Sequence, residues 1–260
     1  MSGKRGLVMG VANDHSIAWG IAKALAGEGA ELAFTFQSDA LGKRVAPLAK
    51  AIGAAHLLPC DVEDLASVDV VFSALGAAWG SLDFLVHCIG FSDRNELKGR
   101  YADTSRENFI RTMVISAFSF TEIAKRAASM MPSGGAMLTL TFGGATRVVP
   151  NYNVMGVAKA ALEASVRYLA ADFGPENIRV NAISAGPIRT LAGAGIADAR
   201  FMFNFQRAHS PLRRTVTIEN VGGAALYLLS SLSDGVTGEV HFVDAGYNIV
   251  SMPRPDEIKS

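Results

Sequence analysis

The chain has no excess of charge of either sign. Its 260 residues include 24 Lys and Arg against 24 Asp and Glu, so the formal net charge is zero. Proteins that bind nucleic acid or lie on anionic membrane surfaces usually carry a basic excess. The balance therefore argues against both classes, and we expect neither a nucleic-acid partner nor a membrane partner.

Long apolar runs and cysteines are also scarce. No stretch of about 18 uninterrupted apolar residues exists, which argues against a membrane-spanning helix. Residues 1–5 lead straight into a strand-like run, without the apolar region of a signal peptide. The two cysteines, Cys60 and Cys88, lie in apolar runs, and neither they nor the five scattered histidines show metal-ligand spacing. We therefore expect a cytoplasmic protein without a metal site, and His87 as a strand residue rather than part of a catalytic dyad.

Short apolar runs alternate with helix-length segments along nearly the whole chain. Apolar strands separated by helices indicate a parallel sheet that is covered on both faces. The predicted strands are residues 6–9, 31–36, 56–60, 84–88, 136–141, 179–183 and 239–243. The predicted helices are residues 17–27, 39–51, 65–78, 105–131, 154–173 and 218–229. Because no linker or repeat divides the chain, we predict one α/β domain over residues 1–260, a doubly wound (Rossmann-type) parallel sheet with helices on both faces.

Residues 186–214 interrupt this alternation. The segment is rich in Gly, Ala, Phe and Met and contains no clean strand pattern. A long irregular insertion in a compact domain is usually a lid or a binding loop. We therefore predict a substrate lid at about residues 186–214.

The loop after the first strand has the features of an anion-binding site. Gly10 can form the tight turn, and Ser16 is placed to cap the helix predicted to begin at Ile17. Backbone N–H groups and the helix dipole at such a position suit a pyrophosphate. Gly20 would let this helix approach the sheet closely. The loop is not a strict G-x-G-x-x-G, so a glycine-rich turn without a special role stays the alternative for this segment alone.

Residues that suit the rest of a dinucleotide follow three other strands. Gln37 stands where many NAD-binding folds have Asp or Glu, and no arginine follows at once to hold a 2′-phosphate, which favours NADH over NADPH. Asp61 and Val62 would flank the adenine, and Ile89 and Gly90 would allow close passage of the cofactor. All lie at the carboxyl ends of strands, where ligands bind in such sheets.

Tyr152 and Lys159 are seven residues apart at the predicted start of a helix. This spacing places both side chains on one helical face, about 10 Å apart along the axis. The separation is too long for one group to activate the other, but it suits two contacts on one large ligand. Taken alone, the pair also occurs by chance in many proteins.

Together these segments resemble the short-chain dehydrogenase/reductase superfamily, and within it the bacterial NADH-dependent enoyl-acyl-carrier-protein reductases. Residues 151–159 match the Tyr-x6-Lys signature, whereas the ordinary superfamily pattern is Tyr-x3-Lys and the residue four before Lys159 is Met155. Residues 10–22, 86–91, 185–192 and 211–217 resemble the phosphate loop, the fourth-strand segment and the two ends of the substrate loop of that family. The resemblance covers nearly the whole chain.

The resemblance implies hydride transfer from NADH to the β-carbon of a trans-2-enoyl thioester in fatty acid biosynthesis. Tyr152 would stabilise the enolate oxygen, Lys159 would bind the ribose hydroxyls, and both would be catalytic. The expected cofactor contacts are Gly10, Ser16, Ile17, Gln37, Asp61, Val62, Ile89, Gly90, Lys159, Ile188, Arg189, Thr190, Leu191 and Ala192. The expected substrate contacts are Ser92, Phe142, Tyr152 and Met155. The acyl pocket would include Phe91, Met155, Ile196, Phe201, Met202 and Phe203, although each of these residues, taken singly, also fits ordinary core packing.

One position departs from the family pattern. Phe142 stands where the family usually has a second tyrosine, ten residues before Tyr152, so the ring remains and the phenol is lost. The leading interpretation is an enoyl thioester reductase. Two alternatives stay open: a reductase of ketones or other activated alkenes on the same fold, and an impaired or inactive NAD-binding paralogue.

The resemblance also implies partners. The substrate would be carried by acyl carrier protein, an acidic protein, and a docking patch would consist of Arg200, Arg207, Arg213 and Arg214. Solvated surface charge is the alternative for these arginines. The family implies a homotetramer, with residues 105–131 and 154–173 long enough to supply helical interfaces.

Overall fold

A computed structural model describes residues 1–190 and 199–252 of the chain. Within these residues, seven parallel strands form one sheet in the order β3-β2-β1-β4-β5-β6-β7. The strands are β1 (Arg5–Met9), β2 (Glu31–Phe36), β3 (His56–Pro59), β4 (Phe84–His87), β5 (Gly135–Thr141), β6 (Ile178–Ala185) and β7 (Val240–Val243). The helices are α1 (Ile17–Gly27), α2 (Asp39–Ala51), α3 (Leu65–Trp79), α4 (Arg106–Met113), α5 (Ser119–Ser129), α6 (Asn153–Phe173), α7 (Ala199–His209) and α8 (Ile218–Leu229). The prediction of a doubly wound parallel sheet is confirmed.

The central strands are mainly apolar because helices cover both of their faces. Successive strand residues point to opposite faces, so Leu7 of β1 belongs to the core cluster that includes residues of α3, α5 and α6. Its neighbour Val8 belongs to the cluster that includes residues of α1 and α8. Burying each such side chain contributes roughly 1.5–3 kcal/mol to folding. No helix among the described residues is long and apolar enough to span a membrane.

The ligand crevice of this sheet lies between β1 and β4. The chain runs from β1 out to β3 and then returns to the other side of β1, where Met9 is in register with His87. In open α/β sheets, ligands bind beyond the carboxyl ends of the strands at such a switch point. Gly10 follows β1, and Ile89 and Gly90 follow β4, so the fold places these predicted cofactor residues at this edge.

The helix predicted over residues 105–131 is divided into three parts. A π-helical segment (Val114–Phe118) separates α4 from α5. In a π-helix the backbone hydrogen bonds join residues i and i+5, so each turn holds about one extra residue. Over a single turn this does not visibly disturb the spacing of apolar residues in the sequence. Such segments frequently occur at functional sites, and the buried Ser116 lies in this one.

The prediction of an irregular segment at residues 186–214 is wrong in part, because α7 (Ala199–His209) lies within it. The rings of Phe201, Phe205 and His209 stack at successive spacings of four, with centroids 5.9 and 4.1 Å apart. This i, i+4 stripe is the helical signal that the glycine-rich composition of the segment concealed.

Gly20 has a different role from the one predicted. A Cβ at Gly20 would overlap the carbonyl oxygen of Ile218, and a Cβ at Gly222 would lie 2.6 Å from the carbonyl oxygen of Gly20. The two glycines therefore let α1 approach α8, not the sheet. The spacing of apolar residues in the sequence shows that Gly20 lies on the inner face of α1. It does not show which element this face contacts.

Candidate active site

Tyr152 lies immediately before the first residue of α6, between two residues with positive φ, Asn151 (60°) and Asn153 (37°). Such backbone conformations are uncommon outside glycine and cluster at functional sites. The ring of Tyr152 is 7% exposed and meets the ring of Phe142 edge-on, with centroids 5.0 Å apart. A Cβ at Gly144 would overlap the Tyr152 ring, so the ring also packs directly against the backbone of Gly144.

Burial raises the pKa of the Tyr152 hydroxyl above its usual value. The hydroxyl is therefore protonated at neutral pH and can donate a hydrogen bond. Tyr152 is the N-cap residue of α6 and has a right-handed helical backbone conformation (φ −102°, ψ −27°).

Lys159 lies in α6 and is also 7% exposed. Its Nζ donates to the carbonyl oxygen of Leu140 over 2.8 Å. Burial lowers the pKa of the ammonium to about 8, while the negative charge of Glu163 acts in the opposite direction. An ammonium has three donors, and Leu140 uses one of them.

Gly90 opens the space in front of the Lys159 ammonium. A Cβ at Gly90 would lie 3.9 Å from Nζ of Lys159, 3.8 Å from Oγ of Ser116 and 3.6 Å from Cε of Met155. Three predicted site residues, Gly90, Met155 and Lys159, therefore converge at the carboxyl end of β4. Ser116 was not predicted, and the sequence carries no sign of it because the π-helical segment that presents it has no sequence signature.

Three successive residues at the carboxyl end of β5 organise the start of α6. Leu140 accepts from Lys159, Thr141 donates its hydroxyl to Oε1 of Glu163 over 2.7 Å, and Phe142 packs against Tyr152. One strand end therefore positions the phenol, the ammonium and a buried carboxyl group. Glu163, like Ser116, was not predicted.

The loop after β1 has the expected shape, but its serine works differently. Gly10 has a φ of 97°, and a Cβ there would overlap the Cys88 carbonyl oxygen, so only glycine fits. Ser16 occupies the N-cap of α1, which begins at Ile17 as predicted, yet it makes no side-chain cap to the helix. Its Oγ instead accepts from the N–H groups of Ala12 and Asn13 over 3.0 and 3.1 Å. The Ser16 hydroxyl thus holds the loop together. It does not accept hydrogen bonds from the N–H groups in the first turn of α1.

The predicted adenine and ribose residues lie at the ends of β2 and β3. Gln37, which is exposed, donates through Nε2 to Oδ2 of the half-buried Asp61 over 3.1 Å. Oδ1 of Asp61 accepts from the N–H of Glu63 over 2.9 Å. Val62 is buried in the core cluster of that face, and Ile89 packs against the same cluster.

The residues after β6 are described only in part. Ile188 packs against a core cluster, Arg189 lies with its guanidinium 5.7 Å from the ring centroid of Phe203, and Thr190 is half-buried. Leu191, Ala192 and Ile196 lie outside the described residues. A cavity of about 610 Å³ lies here, between the loop after β1, residues 187–189 and α7. Its lining includes Asp14, His15, Trp19, Ile188, Arg189, Phe203 and Arg207. Neither Tyr152 nor Lys159 lines it.

The remaining predicted substrate residues are divided between the crevice and the surface. The guanidinium of Arg111 lies over the ring of Phe91, and its Cζ is 4.5 Å from the ring centroid. The hydroxyl of Ser92 is bonded to Asn108 and Thr112 of α4, within 3.4 and 3.1 Å. Phe201 is 65% exposed, while Met202 and Phe203 are half-buried.

His87 is a buried strand residue, as predicted. Its ring lies between Oγ of Ser119 (3.0 Å) and Oγ1 of Thr139 (3.4 Å). Burial and the nearby Lys159 charge lower the pKa of His87 to about 3, so the ring is neutral. Burial likewise raises the pKa of the Cys88 thiol to about 12. Among the described residues, no group of three or more His, Cys, Asp or Glu side chains could hold a metal ion.

Comparison with known proteins identifies the family. A sequence model of the family described as Enoyl-(Acyl carrier protein) reductase matches residues 10–248. The chain belongs to the enoyl-acyl-carrier-protein reductase family. The matched residues include the phosphate loop, Tyr152, Lys159 and α7, so the motif resemblance found in the sequence is confirmed.

Relatives of known name and structure agree with this family. The chain is 73% identical to "Enoyl-[acyl-carrier-protein] reductase [NADH] 2" of Rhizobium meliloti, over 100% of this chain and 97% of that protein. FabI from Candidatus Liberibacter asiaticus has a crystal structure that matches with a TM-score of 0.96 at 60% identity, over 97% and 98% of the two chains. The enoyl-acyl-carrier-protein reductase of Anaplasma phagocytophilum, solved in complex with NAD, matches with a TM-score of 0.95 at 57% identity, over 98% and 97%.

Proposed function

We propose that this chain is an NADH-dependent enoyl-acyl-carrier-protein reductase of fatty acid biosynthesis. It reduces the carbon–carbon double bond of a trans-2-enoyl thioester. The observation that carries this function is the buried pair of Tyr152 and Lys159 beside the β1–β4 crevice, in a chain that is 73% identical to a relative named for this NADH-dependent activity. The relatives described above lend no support to the two alternative functions.

The proposed mechanism assigns charge stabilisation to Tyr152. Bound NADH supplies the hydride for the β-carbon of the substrate. As negative charge develops on the thioester oxygen, the protonated Tyr152 hydroxyl donates a hydrogen bond to it. Preorganised donors of this kind are usually a large part of catalysis, about 3–4 kcal/mol for one donor. The edge-on contact with Phe142 and the bare backbone of Gly144 hold the ring, so the donor needs no reorganisation.

Lys159 anchors the cofactor in this proposal. Its Nζ is held by Leu140, and the two remaining donors suit the two ribose hydroxyls beside the nicotinamide. Gly90 leaves room for that ribose in front of Nζ. The ammonium also stabilises negative charge in the crevice because little water screens it there.

NADH suits the ribose-binding end better than NADPH does. Gln37 is hydrogen-bonded to the carboxylate of Asp61, which places negative charge beside the position of the adenosine ribose. A 2′-phosphate would meet this carboxylate, whereas a 2′-hydroxyl could donate to it. Lys43 and Arg44 are exposed residues of α2 and lie one turn beyond. We expect NADH to bind more tightly than NADPH, as competition between the two cofactors in a binding titration would show.

The function is tested by following NADH oxidation with crotonyl thioesters and with simple ketones. We expect turnover of the enoyl thioester and none of the ketone. Tyr152→Phe keeps the ring and removes the hydroxyl, so kcat should fall by about 10²–10³ with the affinity for NADH unchanged. Activity on ketones alone would establish the second function, and NADH binding without turnover of any enoyl thioester would establish the third.

The acyl carrier protein is the expected macromolecular partner. Of the four arginines predicted to form its docking patch, the two in α7 are best placed to contact it. Arg213 donates to the carbonyl of Ala208, and Arg214 donates to Oδ1 of Asn220, so both guanidinium groups are engaged within the chain. Arg200 and Arg207 are exposed on α7. We propose these two as the contacts to the acidic carrier. Replacing both with glutamine should raise KM for a carrier-bound substrate but not for a coenzyme A thioester.

The larger organisation is proposed on similar grounds. We infer one cofactor-binding and catalytic domain over residues 1–260, with a substrate lid at about 186–214 that includes α7. We also infer a homotetramer, because exposed apolar side chains lie on α4 and α6 and at the end of β7, among them Ile110, Tyr168 and Phe242. Cys60 and Cys88 are free thiols, as in reducing compartments, and we propose the cytoplasm as the location, which cell fractionation would test.

A further inference from the structure

Glu163 is a buried carboxyl group that the proposed mechanism does not use. It lies in α6, four residues after Lys159 and therefore on the same helical face. The side chain is 8% exposed. Acidic residues are almost never this deeply buried unless they are paired, because leaving water costs several kcal/mol.

The end of β5 binds both Glu163 and Lys159, although no ion pair joins the two side chains directly. The Thr141 hydroxyl donates to Oε1 of Glu163 over 2.7 Å, and the carbonyl oxygen of the preceding residue, Leu140, accepts from Nζ of Lys159 over 2.8 Å. Adjacent strand residues therefore fix the two charged groups with respect to each other. A hydroxyl that donates to a carboxylate favours its ionised form.

The other titratable groups around Lys159 are neutral at physiological pH. His87 and Cys88 approach it from the end of β4, with pKa values of about 3 and 12. Tyr152, at the start of α6, has its pKa raised by burial. Burial raises the pKa of Glu163, whereas the Thr141 hydrogen bond and the charges of Arg167, one turn further along α6, and Lys159 oppose this shift. Glu163 is thus the carboxylate among these groups, one helical turn from the ammonium.

We propose that Glu163 is a positioning residue for the cofactor anchor: its Thr141-held carboxylate balances the charge of the buried Lys159 ammonium one helical turn away. This inference rests on the proposed function, in which Lys159 binds the ribose hydroxyls of NADH. Without the carboxylate, burial acts on the ammonium with no opposing charge, and Lys159 loses its proton at a lower pH. A neutral amine is a weaker donor to the ribose, so the cofactor binds less tightly.

The test is the pH dependence of NADH affinity, measured by direct titration of the full chain rather than by turnover. Glu163→Gln keeps the shape and can still accept from Thr141, but it removes the charge. An opposite charge within about 4–6 Å shifts a pKa by about one unit or more, and residues four apart on a helix are neighbours at about this spacing. We therefore expect the alkaline loss of affinity to begin about one pH unit lower, which makes Kd at pH 8.5 about five- to tenfold weaker than in the wild type. At pH 6.5 the two proteins should agree within about twofold, since Lys159 is charged in both.

Two further variants complete the experiment. Glu176→Gln makes the same chemical change at an exposed position beyond α6 and should follow the wild-type profile. Thr141→Val removes the hydroxyl that anchors the carboxylate and should shift the profile in the same direction as Glu163→Gln, by less. It also serves as the test if Glu163→Gln does not fold.

The outcomes separate this inference from the proposed function. A wild-type chain that binds NADH and reduces crotonyl thioester, with Glu163→Gln and Thr141→Val following its pH profile unchanged, would overturn the role of Glu163 alone. A wild-type chain that binds no NADH at any pH would overturn the proposed function itself. A uniform loss of affinity at every pH would mark Glu163 as merely structural and would also refute the proposal.

Discussion

At the scale of single residues, the site depends on polar groups that burial has shifted from their ordinary behaviour. Tyr152 and Lys159 are both 7% exposed, and burial acts on them in opposite ways. It keeps the phenol protonated, because the phenolate would be the charged form. Burial lowers the pKa of the ammonium, because for this group the protonated form is the charged one. A protonated phenol is what a hydrogen-bond donor needs. The loss of the proton from Lys159 would remove the charge of the cofactor anchor, so another group must counteract it.

Phe142→Tyr tests whether the missing phenol limits this chain. The ring of Phe142 already packs edge-on against Tyr152, and one hydroxyl at Tyr152 suffices to stabilise the enolate oxygen. We expect kcat with crotonyl thioester to change by less than about threefold, since a further donor that is not aimed at the oxygen adds little. A gain of tenfold or more would show instead that the chain is an impaired variant.

Lys159→Met tests the cost of the buried ammonium. The folded pKa of Lys159 is about 8, below the ordinary 10.5, so between these values the unfolded chain binds more protons than the folded one. Stability attributable to this group therefore rises with pH through that window. We expect the wild-type free energy of unfolding to gain about 2 kcal/mol, relative to the Met variant, between pH 7 and pH 10. Urea titrations of both proteins measure it, and a constant difference across that range would contradict the shift.

At the scale of elements, close backbone contacts decide which neighbours a helix can have. The β1–β4 crevice requires glycine at position 10, and the α1–α8 contact requires Gly20 and Gly222. The break of the predicted helix at residues 114–118 belongs to the same scale. It presents Ser116, whose Oγ accepts from the N–H of Phe91 over 2.8 Å, toward the crevice.

Adjacent glycines of α8 provide a matched pair of variants. A Cβ at Gly222 would lie 2.6 Å from the backbone oxygen of Gly20, whereas a Cβ at Gly223 meets nothing within 4 Å. We expect Gly222→Ala to destabilise the fold by about 2–3 kcal/mol through overpacking. Gly223→Ala should be neutral or stabilising by up to about 1 kcal/mol, since alanine favours the helix. Urea midpoints measure both, and equal effects would show that α1 and α8 can separate freely.

At the scale of the whole molecule, the sheet faces are covered but parts of the outer helical surface are apolar. Tyr168 of α6 is 75% exposed, and Ile110 of α4 is 53% exposed. Large apolar side chains exposed on two helices that contact each other, as α4 and α6 do, are candidates for burial in a protein interface. This surface supports the proposed assembly of identical chains.

The proposed tetramer has a direct test in solution. Light scattering behind a sizing column should give four times the chain mass of 27.4 kDa. Tyr168→Glu should shift that mass downward, because a carboxylate in an apolar interface costs several kcal/mol. Lys50→Glu, a charge change on α2 outside the helices predicted to form interfaces, serves as the control. A monomeric wild type would contradict the proposal.

The alternation of apolar runs predicted the fold because strands covered on both faces have a composition unlike that of helices. Helices α1, α2 and α8 have the predicted ends, and α2 and α8 begin at residues whose side chains cap them, Ser38 and Thr217. The π-helical break and α7 were missed. The first leaves the periodicity intact, and the second lies in a glycine-rich segment whose helical stripe consists of aromatic rings.

The sequence by itself determined the order of strands and helices, the family, and the two residues that carry the proposed chemistry. These depend on local patterns and on spacing within one segment. Only the tertiary structure showed that Leu140, Thr141 and Phe142 hold Lys159, Glu163 and Tyr152, and that Gly20 faces α8. Such contacts join residues that are far apart in the chain, and they also decide burial, which sets the protonation of the site. No single segment carries that information, because burial arises only when the sheet and its helices pack together.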